Sequence, residues 1–506
     1  MGTPDQSPHT LAPGRIGAAA VAFFALAATA PIAVLVHVVP AAYATGGGPL
    51  VPIAFLAAGL VLIVFTGGYA AMAHRAPFAG AMYTYVAKGL GKPAGAGAAW
   101  LAVASYQVLQ LGLYGLTGAA AAPLLRSWLG AEAQWWMVAA GCWLVITLCG
   151  TIRVEVSSGL IALLVLAEGA VVTGFAVANA IDPVAGGRTA ATIAPSGVDM
   201  PVLGLLLAVA LLAFAGFETS GAYAEEAIRP RRDPGNAAYG TVLAVTLLLA
   251  GASWSLAVAA GTGQIAALAR ERGSELLFDL AAARLAPWAV TLGRLMLLTG
   301  LLAAMLALHH TIARYLFALG RERVLPSGLS RTAVRTWAPR NASLVQSLAA
   351  GVALLAAYAI GVSDVAVLGR RLLVAGALGV LVLLVGTSLA ALLHLNQVPD
   401  GEGAWSRFAA PLLSTVALGV IGYLTVRELG PLLGVPGSSA LRWIVPVGVA
   451  LVAIAGALHA LLLRRLRPEI YEAIGRGVVV VPALPAPREP SDERQPGAHR
   501  PERVNR

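Results

Sequence analysis

Charge is scarce in this chain. Asp, Glu, Lys and Arg make up 11% of its 506 residues, against 58% hydrophobic residues. A soluble fold of this size needs more charge to cover its surface. An ordinary water-soluble protein is therefore excluded, and lipid must solvate the excess apolar surface. Cysteine is nearly absent. Cys142 and Cys149 are the only two, and their spacing along one helix puts them about 10 Å apart, too far for a disulfide. They are read as packing residues without a redox role. Period-two alternation is missing, which excludes a β-barrel. No Walker loop, no HExxH and no nucleophile–base pair at recognisable spacing occurs, which argues against an enzyme and against ATP drive by this chain alone. No ligand set at metal-binding spacing accompanies the histidines, so no metal and no other cofactor is expected. The net charge of +10 is spread over loops and tail and forms no basic stripe interleaved with aromatics. Nucleic acid is thus not an expected partner, and loop positivity is read as topology.

What the chain does have is long apolar runs. About twelve stretches reach the roughly 20 residues that cross a hydrocarbon layer. They lie near 16–43, 50–73, 94–122, 134–151, 157–180, 201–227, 237–262, 288–318, 343–362, 367–394, 408–427 and 441–464. The first is longer than a signal-peptide core and is taken as a retained span. The run at 288–318 exceeds what a bilayer needs, so it tilts or projects into water. The expected fold class is an all-α polytopic membrane protein. One transmembrane domain, 16–464, comprises a first repeat at about 16–180, a second at about 201–394 and extra helices at about 408–464. It is flanked by a cytoplasmic N-terminal segment, 1–15, and a cytoplasmic, largely disordered tail, 465–506, which becomes rich in Pro, Arg and Glu past 482.

Arg and Lys set the orientation. Arg75, Lys88 and Lys92 follow the second span, Arg229, Arg231 and Arg232 the sixth, Arg321, Arg323, Arg331, Arg335 and Arg340 the eighth, and Arg464, Arg465 and Arg467 the last. Alternating helices place all of these on one side, which makes that side cytoplasmic and puts both termini inside a plasma (inner) membrane. The loop with Arg270, Arg272 and Arg284 breaks the pattern. It also holds Glu271, Glu275 and Asp279 and reads as an amphipathic helix at the outer surface.

Two acids stand inside strongly apolar runs, Glu168 in the fifth span and Glu218 in the sixth. A carboxylate at that depth must be paired, watered or protonated, which makes each a functional candidate. Glu168 is read as a proton site, against a neutral acid bonded to a neighbouring helix. For Glu218, a second proton site and a brace for unwound backbone stay open together. Both first and sixth spans are interrupted. Ala28-Thr29-Ala30-Pro31-Ile32 carries a proline that frees backbone carbonyls, and Phe214-Ala215-Gly216-Phe217-Glu218-Thr219-Ser220-Gly221 carries two glycines and two backbone-bonding hydroxyls. Interruptions at corresponding places in two halves point to a transporter site. Here they match two five-helix repeats plus two extra helices. Ordinary kinking and close helix packing is the competing account.

In the third span Tyr106, Gln110 and Tyr114 share a face, either for cargo or for helix–helix hydrogen bonds. His309 and His310 are read as packed and hydrogen-bonded rather than as a relay, and His37 as interfacial. Glu225 and Glu226 are read as a solvated helix end rather than as a gate paired with Arg. A channel would need a continuous polar lining, whereas these polar residues cluster at mid-depth.

Phe214-Ala215-Gly216-Phe217-Glu218, followed by Glu225-Glu226-Ala227-Ile228-Arg229-Pro230-Arg231-Arg232-Asp233-Pro234, resembles the sixth helix and next loop of the amino acid/polyamine/organocation permeases. The run from Arg75 through Pro77, Gly80 and Tyr83 to Tyr85 resembles that family's loop between helices two and three. The run from Arg314 through Gly320 and Arg321 to Pro326 resembles the end of its eighth helix. The resemblance implies a five-plus-five inverted-repeat fold with two peripheral helices, alternating access, and an amino acid, amine or polyamine as cargo. It implies substrate contacts at Thr29, Ala30, Pro31 and Ile32, and at Phe214, Ala215, Gly216 and Phe217; Tyr106 and Gln110 are further candidates from their shared face in the third span. Freed N–H groups at a half-helix start favour a carboxylate, and freed carbonyls an ammonium. Two positions depart from the family pattern. Its Gly-rich first break is Ala-Thr-Ala-Pro here, and its helix-five lysine is Glu168. The expected function is secondary active transport by proton symport or exchange, and the alternative is a transport-incompetent sensor or scaffold on the same fold.

Overall fold

The computed structural model describes residues 9–130, 132–184 and 200–477. Of the tail at 465–506, expected to be largely disordered, residues 465–477 are described and include a short helix, Pro468–Ala473, and those past 477 lie outside the described residues. Among the described residues there is no strand; the one β-bridge joins Ile16 to Ala227.

The first span is α1 (Ala18–Ala28), α2 (Pro31–Ala33), a π-helical turn at Val34–Val38 and α3 (Val39–Ala44). Next come α4 (Leu50–Arg75), the short α5 (Met82–Leu90), α6 (Lys92–Leu129), α7 (Trp135–Cys149) and α8 (Val154–Ile181). The second half runs α9 (Met200–Leu212), a 3-10 helix at Phe217–Glu226, α10 (Asp233–Ala260), α11 (Ile265–Arg272), α12 (Leu276–Ala282), α13 (Pro287–Arg321), α14 (Arg340–Ala359) and α15 (Val365–Gln397). After these stand α16 (Ala410–Arg427), α17 (Leu429–Leu433), α18 (Leu441–Leu466) and α19 (Pro468–Ala473).

Eleven of the described helical segments are long and apolar enough to cross a membrane, and α7 is a further, shorter apolar helix. Its 15 residues rise only about 22 Å, less than the roughly 30 Å of a hydrocarbon core. The chain is an all-α polytopic membrane protein. Its lipid-facing surface is visible on α18, where Ile444, Val447, Leu451, Ile454 and Leu458 are exposed at helical spacing while Gly456 and Ala460 pack inward.

Helix packing relates the two five-helix units. After the second helix of each unit comes a short helix, and it packs on the last helix of the other unit: α5 on α15, and α12 on α8. The second helices of the two units, α4 and α10, pack on each other, as do the third, α6 and α13. The loop at 265–282, read as amphipathic, folds as α11 and α12, with Ile265, Leu276, Leu277 and Phe278 buried and Glu271 and Arg272 exposed.

One end of the bundle, here the basic end, carries Arg75, Arg229, Arg321 and the start of the tail. There Arg75 grips Glu402, from the turn between α15 and α16, with both ends of its guanidinium. Those bonds hold the Glu402 carboxyl down at about 2. The 35-residue α13 is longer than a bilayer requires, and its last two turns project into this end.

Candidate functional site

Helix α1 stops because Pro31 has no N–H to donate and disfavours α geometry in the residue before it. Ala30 takes the left-handed region instead, at φ 47° and ψ 59°. Thr29 closes the α1 end by donating its hydroxyl to the Leu26 carbonyl at 2.7 Å. The chain then restarts as α2, whose first N–H groups have no partner within the helix.

The second interruption begins after α9. Gly216 sits at φ 123°, a conformation only glycine adopts readily. A Cβ there would lie 2.6 Å from the Ala28 carbonyl carbon. The two breaks therefore touch, and glycine is what lets them. Beyond Gly216 ten residues wind as a 3-10 helix. That is long for this geometry and marks a strained or hinge-like segment.

Each break is braced by one buried carboxylate. Glu168, on α8, accepts the Ile32 N–H at 2.8 Å through Oε1. Gly300 on α13 makes room for it, since a Cβ there would meet Oε2 at 2.6 Å. Glu218 folds back to accept the Gly216 N–H at 2.9 Å and also accepts the Tyr106 hydroxyl at 2.9 Å. Both acids are almost fully buried. Each holds an amide beside a break, where N–H dipoles favour negative charge.

A cavity of about 220 Å³ runs from the breaks away from the basic end. Thr29, Ala30 and Ala215 line it at the breaks, and Leu109, Leu113, Leu212 and Leu373 line its walls. His37 and Arg370 stand among its lining residues. The other residues singled out from sequence sit behind this surface. Pro31 and Ile32 are turned toward α13 and Glu168, Phe214 and Phe217 are fully buried, and Gly216 lies against Ala28. Tyr106 reaches the site through Glu218. Gln110 is occupied elsewhere: its amide donates to the Met305 carbonyl at 3.0 Å, and its oxygen accepts from Gln346. The polar stripe of α6 thus serves helix–helix bonding, and the neighbouring leucines face the cavity. Sequence reasoning missed Leu109 and Leu113, because a leucine in an apolar helix carries no signal of which side it faces.

The basic end is shut. Glu226 and Arg314 form a fully buried two-pronged pair, 2.9 Å between Oε1 and Nη2. The guanidinium lies 4.3 Å from the Tyr223 ring centroid, and Tyr223 stacks on Phe24 of α1 at 4.4 Å. One residue away, Glu225 pairs with Arg321 and accepts the Ala79 N–H at 2.9 Å. The expectation of a solvated helix end at Glu225 and Glu226 is therefore corrected. Their arginines arrive from α13, 88 and 96 residues later in sequence, so nothing local in the sequence announces the pairing. The backbone of the segment before α1 joins this layer, with the Arg15 and Ile16 N–H groups donating to the Glu226 carbonyl at 2.8 and 3.1 Å. His309 and His310 are buried and bonded to Ser343 and Ser157 at 2.7 and 3.1 Å. Among the described residues no group of three or more His, Cys, Asp or Glu is placed to hold a metal.

Residues 20–427 match the family model described as amino acid permease. No curated protein matches the chain.

Proposed function

This chain belongs to the amino acid permease family, and on that premise we propose that it is a proton-coupled secondary active transporter for an amino acid with an aliphatic side chain. Membership makes it an integral membrane transporter for amino acids or related compounds rather than an enzyme. The finer reading rests on one conjunction: a closed-ended cavity touching both helix breaks, with one buried carboxylate bracing each break.

The cargo carboxylate is assigned to the restart of the first span, at Thr29, Ala30, Pro31 and Ile32, where the start of a half-helix favours an anion and where Glu168 now holds the Ile32 N–H. The ammonium is assigned to the carbonyl groups around Phe214, Ala215, Gly216 and Phe217, of which those of Phe214 and Gly216 also accept the Phe217 and Thr219 N–H groups. Leu109, Leu113 and Leu212 then receive the side chain, and their uniform apolarity is the ground for an aliphatic cargo. Tyr106 acts on the site through Glu218, and Gln110 by fixing α6 against α13 and α14.

Glu168 and Glu218 are assigned as proton sites. Each carboxylate bonds backbone at a break, so gaining a proton changes how firmly that break is held. Loading a proton and reshaping the binding site then become one event. By the positive-inside rule the basic end is cytoplasmic, both termini lie inside a plasma membrane, and the closed basic end is an outward-facing state. Opening of this end and closure of the cavity mouth would complete an alternating-access cycle.

The first test is binding. Detergent-purified protein is screened for thermal stabilisation by leucine, valine, lysine, glutamate and putrescine, since a ligand of the native state raises its stability. Stabilisation by leucine and valine alone is expected. A shift only with lysine or putrescine would overturn the aliphatic assignment. Accumulation or exchange of the stabilising compound in liposomes would rule out a transport-incompetent sensor.

A further inference from the structure

Residues 468–477 lie outside the part of the chain that matches the permease family, which ends at 427. They are nonetheless bound to the gate. Glu322 follows Arg321 directly at the end of α13, and its side chain is fully buried. Its carboxylate accepts the Gly475 N–H at 3.0 Å and the Gly477 N–H at 2.8 Å. Two converging amides make a small anion-binding concavity. Both glycines sit at positive φ, 74° and 67°. Neither tolerates a side chain: a Cβ on Gly475 would lie 2.6 Å from the Ala87 methyl, and one on Gly477 would lie 2.5 Å from the Phe78 ring.

The stretch before the glycines is anchored as well. Ile470, Ala473 and Ile474 are buried. Tyr471 lies beneath the Lys92 ammonium, 5.0 Å from ring centroid to nitrogen, and Glu472 pairs with the same lysine. The segment therefore spans three elements around the basic-end gate: the end of α13, the 78–87 stretch with α5, and the start of α6. Ala79 and Arg321, the two groups that hold Glu225, flank the strip on which it lies. If the end of α13 swings away from α5, the Glu322 bonds to Gly475 and Gly477 break or the segment is dragged along.

We propose that residues 468–477 are a strap that locks the basic-end gate shut, and that this end opens only when Glu322 releases the two glycine amides. The gate is then three layers deep: Glu226 with Arg314, Glu225 with Arg321 and Ala79, and Glu322 with the strap. The outermost layer is the one that a chain segment can leave without unwinding a transmembrane helix. This makes the strap a regulator of the cycle rather than a part of the cargo site.

The test reads gate opening without relying on transport. A reporter, Ala224→Cys, is placed in the buried gate layer of a Cys142→Ser, Cys149→Ser chain reconstituted in vesicles. Its labelling by a membrane-impermeant maleimide is timed from the basic-end side. Three versions are compared: truncation after Gly477, truncation after Arg467, and full-length Gly477→Ala. Truncation after Gly477 keeps the strap and is expected to label at the parent rate. Gly477→Ala is expected to label about tenfold faster, the equivalent of one lost hydrogen bond to a carboxylate, and truncation after Arg467, which removes both amides, is expected to label at least as fast. The point variant in the full chain carries the test where the shorter chain does not fold. Parent-rate labelling in folded Gly477→Ala overturns the strap. Acceleration after removal of 478–506 alone overturns it too, because the lock would then lie elsewhere. A chain that labels as expected yet moves no amino acid would sink the transport reading and leave the strap standing.

Discussion

At the residue scale the two breaks carry opposite strains. Ala30 holds a left-handed conformation with a Cβ that disfavours it by about 1–2 kcal/mol. Gly216 holds one that needs the missing Cβ. Ala30→Gly is therefore expected to stabilise the protein by about 1 kcal/mol, read as a raised thermal midpoint in detergent. Gly216→Ala is expected to lower the midpoint and abolish ligand stabilisation, because the new methyl meets the Ala28 carbonyl. Equal effects of the two substitutions would contradict contact between the breaks. The buried Glu226–Arg314 pair gives a second residue-level expectation. Arg314→Met leaves a buried carboxylate alone and is expected to destabilise by about 3–5 kcal/mol. The double variant Arg314→Met, Glu226→Gln is expected to recover most of that loss. A double variant no better than the single one would mean that the pair is not the reason for the loss.

Glu322 supplies a pH signature at the same scale. Burial pushes its carboxyl from 4.5 up to about 6, against the lowering pull of the Gly477 and Gly475 amides and of Arg321. The sign follows from the folded value lying above the unfolded one. Below about 4.5 the group is neutral in both states. As pH rises from there through about 6, the unfolded state sheds the proton first and folding stability falls, by about 2 kcal/mol in total. Glu322→Gln is expected to remove that fall. Thermal midpoints of the parent and variant between pH 4.5 and 7 check it, and parallel curves would refute it.

At the scale of elements, the two breaks were legible and the gate was not. Proline and glycine act on their own backbone, so Pro31 and Gly216 announce an interruption wherever they stand in an apolar run. The acids were legible for a similar reason, since a lone carboxylate among leucines always needs an explanation. What Glu168 touches was not legible, because its partner Ile32 lies 136 residues away. The stripe of Tyr106 and Gln110 was correctly placed on one face of α6, but the face that meets the cavity is the adjacent one with Leu109 and Leu113. Which side of an evenly apolar helix faces a cavity is decided by the helices around it. Leu109→Trp is expected to fill the cavity and to abolish stabilisation by leucine while leaving the fold intact. Unchanged leucine binding in this variant would place the cargo elsewhere.

At the scale of the whole molecule, helix class and eleven of the about twelve expected spans were readable from hydropathy alone, because a bilayer admits few solutions for the backbone, whereas the run at 134–151 forms only the 15-residue α7. The inverted relation between halves appears only in packing, where α5 meets α15 and α12 meets α8. The same symmetry places the two breaks side by side at the centre. The ends depart from it, with a cavity toward one and a layered closure of ion pairs at the other. Proton coupling is the claim that binds these features together, and uptake into proteoliposomes under an imposed pH gradient tests it most directly. Labelled leucine should accumulate when the outside is acidic, and Glu168→Gln should lose the gradient dependence while still exchanging leucine across the membrane. Wild-type pH dependence in Glu168→Gln, or leucine movement indifferent to the gradient in the parent, would contradict it.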